Sequence, residues 1–257
     1  MKQIFSIALH DTANIGDRAS SPLDYFKFPI KAEKIDAAKG DFRKAKGAFI
    51  IYGGGGLIHL PSPDYNNGVM GYLEDVCNLS PWLVSWGVGH NIHHSTKIEY
   101  PELFVKKFKL HGVRDMNQSL PWVPCVSCMS PLFHHRYKIK RDIVAVGHNL
   151  SDFNCPTMEH VSVTLKEIVE FIASGSTVIT NSYHGAYWGM LLNRKVVVSN
   201  PMSSKFYGLP KEVELASLDT WKSKSPKSNK QFLAKCRKAN REHYKKVLVL
   251  IGKYNEI

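Results

Sequence analysis

The sequence is poor in long apolar runs, in cysteine and in acidic residues, and each shortage narrows what the chain can be. No uninterrupted apolar run approaches the roughly 18 residues of a membrane-spanning helix, so any contact with lipid is expected to be peripheral. The first apolar stretch, Ile4 to Leu9, soon meets Asp11 and Asn14; it is too short for the core of a secretory leader and reads as a first strand. Five cysteines, an odd number spread over 257 residues, do not make a disulfide framework and fit a reducing, cytoplasmic compartment. Acidic residues number 22 against 34 Lys and Arg, a formal net charge of +12. Such a field attracts anions: phosphorylated metabolites, nucleotide sugars, acidic glycans, nucleic acid or anionic lipid. There is also no repeat of fixed period, no dinucleotide fingerprint, no phosphate-loop motif and no nucleic-acid-binding signature.

What is present is a recurring unit. Short β-branched and aliphatic runs, each closed by glycine or a polar turn, alternate with helix-compatible stretches, the pattern of a parallel α/β protein. Strands are expected over 4–9, 48–52, 83–86 and 110–113, and again over 143–146, 177–180 and 196–199. Helices are expected over 158–173 and 184–192. The aperiodic segment 130–142 reads as a junction, dividing the chain into an N-terminal domain of residues 1–132 and a C-terminal domain of residues 133–257. From Lys230 onward apolar residues recur at three- and four-residue spacings, which predicts an amphipathic C-terminal helix docked on the domains.

Polar and glycine-rich turns follow several of these strands, where open parallel sheets bind ligands. Asn14-Ile15-Gly16-Asp17 follows the first strand; an Asn/Gly turn opening a helix presents N–H groups to an anion or is an ordinary strand-to-helix turn. Gly53-Gly54-Gly55-Gly56 follows Phe49 to Tyr52, and a ligand or a sharp bend explains so much conformational freedom. Trp86-Gly87-Val88-Gly89-His90-Asn91 ends the next strand, with His90 a turn or packing residue unless geometry says otherwise. Arg114, in Val113-Arg114-Asp115, grips a carboxylate or phosphate through its planar fork, or pairs with Asp115. Thr180-Asn181-Ser182-Tyr183-His184-Gly185 runs into a small-residue helix whose N-terminus suits a phosphate or a developing anion. Lys205 closes the strand after it. Cys125 and Cys128 are a single pair, so a zinc site is not expected even with His134 and His135 nearby.

Taken in order, Asn14 to Asp17, Gly53 to Gly56, Gly87 to Gly89, Val113 to Asp115, Thr180 to Gly185 and Lys205 resemble the polysaccharide pyruvyl transferases over roughly residues 10 to 210. The resemblance implies an α/β fold of two Rossmann-like domains facing across a cleft, similar to the GT-B glycosyltransferases. It implies no metal and no cofactor, with phosphoenolpyruvate as co-substrate and a sugar or glycan precursor as acceptor. His184, Arg114 and Asp17 take the catalytic roles. Asn181, Ser182, Gly185 and Lys205 bind the donor, and Asn14, Gly16, Gly54, Gly55, His90 and Asn91 line the acceptor side. The sequence departs from the family pattern at Pro124 to Ser127, where an aspartate is usual, and at Tyr183, where many relatives carry a basic residue. A cytoplasmic enzyme, peripheral at the inner face of a membrane and without a nucleic-acid partner, is the expectation. A nucleotide-sugar glycosyltransferase of similar architecture and a non-catalytic glycan- or nucleic-acid-binding protein stay open beside it.

Overall fold

The apolar runs form parallel strands buried on both faces, as continuous Val/Ile/Leu stretches require. In the computed structural model, which describes residues 2–58 and 68–256, the strands are β1 (Ile4–Ala8), β2 (Ala32–Asp36), β3 (Phe49–Tyr52), β4 (Gly55–Ile58), β5 (Leu83–Ser85), β6 (Val88–His90), β7 (Arg141–Gly147), β8 (Thr157–Glu159), β9 (Gly175–Thr180), β10 (Lys195–Ser199) and β11 (Glu214–Ala216). The helices are α1 (Ile15–Arg18), α2 (Gly68–Leu79), α3 (Glu102–Lys107), α4 (Leu165–Ser174), α5 (Tyr183–Leu191) and α6 (Phe232–Glu256), with short 3-10 turns between elements. Among the described residues no helix is long and apolar enough to cross a membrane.

Two all-parallel sheets result, one in the order β2-β1-β3-β5 and the other β11-β10-β9-β7-β8, with a small parallel β4-β6 pair beyond the first. Both are wound alike. The chain lays an inner strand, adds its partner on one side, then crosses to the other side for the rest. That reversal opens a crevice beyond the C-terminal ends of β1 and β3, and another beyond β7 and β9. The two crevices meet. Ile15 N donates to His160 O at 3.1 Å, and Asn14 forms a bridge with Val161, so the turn after β1 rests on the loop after β8.

Packing explains each helix. One face of the first sheet, with Phe5, Ile7, Ile50 and Tyr52, is covered by Leu73 and Val76 of α2 and Phe104 of α3. The other face, with Ile4, Phe49, Ile51 and Val84, is covered by Val247, Ile251 and Tyr254 of α6. In the second sheet Val144, Val146, Val178 and Val198 pack on α4 and α5. Every residue of α5 is buried, so no polar stripe marks it. The first turns of α6 join this second core through Phe232 and Cys236, so α6 spans both cores. Its buried polar residues make the seam specific: Arg237 donates to Cys128 O at 2.7 Å and to Ser130 O at 2.9 Å, and Trp86 Nε1 donates to Asn240 Oδ1 at 2.7 Å.

The structure corrects several sequence expectations. Residues 158–173 are not one helix: β8 comes first, and α4 starts at a capping box in which Thr164 accepts from Glu167 N and Glu167 from Thr164 N. Leu110 to Val113 makes isolated bridges, to Val84, Val88 and Trp122, and no ladder, because Gly112 N donates to the Ser85 side chain at 2.9 Å rather than to a backbone carbonyl. In the segment 130–142, Phe133 is buried in the second core. Strands β2, β4, β6, β8 and β11 were not expected at all.

Candidate functional site

The most unusual side chain is Arg114. It is 3 % exposed, yet its guanidinium makes no hydrogen bond or ion pair among the described residues. Its Cζ lies 3.7 Å from the ring centroid of Tyr183, in the first turn of α5. Opposite are two glycines that leave it room: a Cβ on Gly89 would stand 2.2 Å from Arg114 Nε, and one on Gly56 3.1 Å from Nη2. Asp115 does not pair with it. That carboxylate turns the other way, where Oδ2 accepts from His90 N at 2.7 Å and Tyr100 OH at 2.8 Å, and burial raises its pKa. A buried cation without a carboxylate is costly, and an anionic ligand is the usual reason to keep one.

Beside Arg114 is the N-terminus of α5. Ser182 occupies the cap position but its side chain caps nothing, which leaves the leading N–H groups of the helix without a side-chain acceptor. His184 follows, 5 % exposed. Its Nε2 is 3.3 Å from Ser20 Oγ, and Ser20 Oγ in turn donates to Gly16 O at 2.6 Å. With the only hydroxyl proton so engaged, His184 Nε2 is the donor to Ser20, and Nδ1 is left as the basic nitrogen. Nδ1 faces Gly16, where a Cβ would stand 2.2 Å away, so only glycine fits. Burial, then Arg114, His160 and Lys205, hold the His184 pKa well below its ordinary value.

Lys205 is the second cation. Burial and the nearby Arg114 bring its pKa down to about 8, against a smaller opposite pull from Asp17. It lines a cavity of about 470 Å³ beyond the ends of β7, β9 and β10, together with His148, Asp152, Asn181 and Asn200 from the second sheet and His93 from the first half of the chain. Arg114 and His184 do not line this cavity; Arg114 instead borders a small pocket with Tyr183, Trp122 and Gly208. Asp17, half-buried, is the carboxylate nearest the cations; burial raises its pKa while Arg114 and Lys205 lower it. Positive charge therefore dominates the site.

The other expected site residues make contacts within the protein. Asn181, which lines the cavity, accepts at Oδ1 from His148 N at 2.9 Å and donates from Nδ2 to His148 O at 2.6 Å, which ties the end of β7 to that of β9. Gly185 lets α5 approach β9, since a Cβ there would meet Thr180 Oγ1 at 2.3 Å. Asn14 caps α1 through Gly16 N at 2.9 Å. His90, fully buried, bonds Ser204 Oγ at 2.8 Å, and Asn91 accepts from Ser203 Oγ at 2.6 Å, so both fasten the turn that carries Lys205. Gly54 has a φ of +66° and Gly55 of +85°; they turn the chain from β3 into β4, with Gly54 against Ser20 and Gly55 facing Asp17. Cys125 and Cys128 are buried free thiols. Among the described residues no group of three or more His, Cys, Asp or Glu is arranged to hold a metal.

No protein-family model matches this chain, and no curated protein matches its sequence.

Residues that sequence reasoning did not single out complete the site. Ser20 contacts His184 across 164 positions of chain. His160 is fully buried with neither ring nitrogen bonded among the described residues, lies 5.8 Å from the Trp188 ring and 5.7 Å from His148, and burial lowers its pKa to about 3. Tyr183, the platform under Arg114, had no signal beyond its place in the turn.

Proposed function

We propose that the chain is a transferase of the polysaccharide pyruvyl transferase type, with two Rossmann-like domains facing across a cleft in the GT-B manner. It moves an enolpyruvyl-derived group from phosphoenolpyruvate to sugar hydroxyls and leaves a pyruvate ketal. The observation that carries this reading is the buried Arg114, without a carboxylate, beside the uncapped start of α5. Phosphoenolpyruvate bears a phosphate and a carboxylate on three carbons, and closely spaced cationic and N–H donors are what it needs.

The chemistry follows from the charges. A proton from His184 is added to the methylene carbon, an acceptor hydroxyl bonds to C2 as its own proton leaves to Asp17, and phosphate departs with its bonding pair and takes that proton from Asp17. A second hydroxyl then bonds to C2, and its proton returns to His184. The balance is one phosphoenolpyruvate and two hydroxyls giving one ketal and one phosphate. Burial, and after it the neighbouring cations, keep His184 neutral. A seated polyanion offsets Arg114 and Lys205 and lifts the imidazole toward the pKa of a general acid. Because Arg114 and His184 are buried, admitting the donor requires the contact between residues 91–94 and 202–204 to loosen.

A nucleotide-sugar glycosyltransferase is the second reading, and the cavity of about 470 Å³ favours it, since phosphoenolpyruvate fills only part of that space. Thermal-shift titration separates the two. Stabilisation by phosphoenolpyruvate that is lost in Arg114→Ala supports the pyruvyl transferase; stabilisation by nucleotide diphosphates alone overturns it.

A further inference from the structure

The far end of the first sheet carries a feature that the reaction does not use. Parallel register puts Ile4 opposite Ala32 and Phe49, Ile50 opposite Leu83, and Val84 opposite Leu110, so the residues that precede these strands and Leu110 share one edge. Those residues are mostly lysine: Lys2 before β1, Lys31 before β2, Lys44 and Lys46 before β3, and Lys109 before Leu110. Trp82 precedes β5. Together with Tyr254 of α6, Trp82 and Lys2, Lys44 and Lys46 line a cavity of about 510 Å³.

The acids at this edge are few. Glu33 pairs with Lys31 at 2.5 Å and Asp41 with Arg43 at 2.8 Å, while Lys44, Lys46 and Lys109 form no salt bridge among the described residues. The aromatic rings support the amines instead of offering a stacking face. Lys109 Nζ is 4.9 Å from the Trp82 centroid and Lys2 Nζ is 5.5 Å from that of Tyr254, whose ring meets Trp82 edge-on at 5.6 Å. Bases and sugars are recognised by open aromatic faces, whereas here Lys109 lies over the Trp82 ring and Lys2 over that of Tyr254. Lysine point charges in a row, backed by Trp and Tyr, are what an anionic lipid surface attracts.

We propose that this lysine edge docks on the anionic surface of a phospholipid bilayer. The strands run away from it, so the candidate site at their opposite ends stays open to solvent while the protein is docked. The proposal does not depend on the reaction assigned above.

Co-sedimentation with vesicles tests it. Wild type is expected to pellet with phosphatidylcholine vesicles containing about 30 mol % phosphatidylserine, and not with pure phosphatidylcholine. Lys44→Glu with Lys46→Glu is expected to lower the partition at least ~10-fold, four charges being changed near the surface. The matched control is Lys222→Glu with Lys224→Glu, which changes net charge equally at a separate basic cavity beside the second sheet; its partition should stay within ~2-fold of wild type if the lysine edge is the contact. Failure of wild type to bind phosphatidylserine vesicles, equal binding to both kinds of vesicle, or equal loss in the two variants overturns the proposal.

Discussion

Replacing Arg114 by methionine separates a ligand-binding cation from a structural one. A structural arginine stabilises the empty protein, whereas Arg114 is 3 % exposed and lacks any carboxylate or carbonyl partner among the described residues. Exchanging a buried charge for an apolar side chain of similar length gains about 1–4 kcal/mol. Against this stands the contact with Tyr183, worth about 0.5–2 kcal/mol. Asp17 and Asp115, whose carboxyls Arg114 draws down against the effect of burial, would also protonate more readily. The net expectation is a gain of about 1–2 kcal/mol, or a melting temperature some 2–6 °C higher without ligand. With phosphoenolpyruvate at about 100 times its Kd, wild type should gain about 2.7 kcal/mol and the variant nothing. Differential scanning fluorimetry with and without ligand reads both effects. A variant several degrees less stable than wild type in the absence of ligand would refute the reasoning, because Arg114 would then be holding the fold.

The remaining predictions use the same contacts. Gly16→Ala drives a methyl group into His184 Nδ1 and should cost about 1–3 kcal/mol in urea denaturation while breaking the His184–Ser20 bond. Lys205, with its pKa of about 8, is about 90 % charged at pH 7 and about 10 % at pH 9. An anion favours the charged form, so binding takes up protons near pH 8 and weakens roughly tenfold by pH 9; calorimetry in buffers of different ionisation enthalpy measures this, and Lys205→Gln should be weak at every pH. His243 and His160 are buried neutral, with pKa values of about 4 and about 3. The unfolded chain protonates them first, so stability falls as pH drops below 6.5, by about 2 kcal/mol per histidine at pH 5; His243→Gln should show a smaller acid loss in urea midpoints.

The fold was legible where burial dictates composition. β1, β3, β7, β9 and β10 read as strands because solid Val/Ile runs have few other uses. β2 did not, because Ala32-Glu33-Lys34-Ile35-Asp36 is an edge strand with one buried residue, and β11 is three residues long. The start of α4 had a local signal in Thr164 and Glu167, masked by the apolar residues before it. In the candidate site, Arg114, His184 and Lys205 were visible as charged or titratable groups just beyond strands. Ser20 and His160 were not, because contacts between the sheets bring them to the site and nothing in their own neighbourhoods records it; Tyr183 stood in the chosen turn, but its place under Arg114 could not be read there. Asn181 shows the converse: the right residue type in the right turn, with both ends of its amide taken by the backbone of His148.

Release of phosphate from phosphoenolpyruvate, measured with a panel of galactoside, mannoside and amino-sugar acceptors, tests the central claim most directly. Release that depends on the acceptor and disappears in both His184→Ala and Arg114→Met is the predicted result. No release with any acceptor, from a protein stabilised by a nucleotide sugar, would contradict pyruvyl transfer and leave the glycosyltransferase.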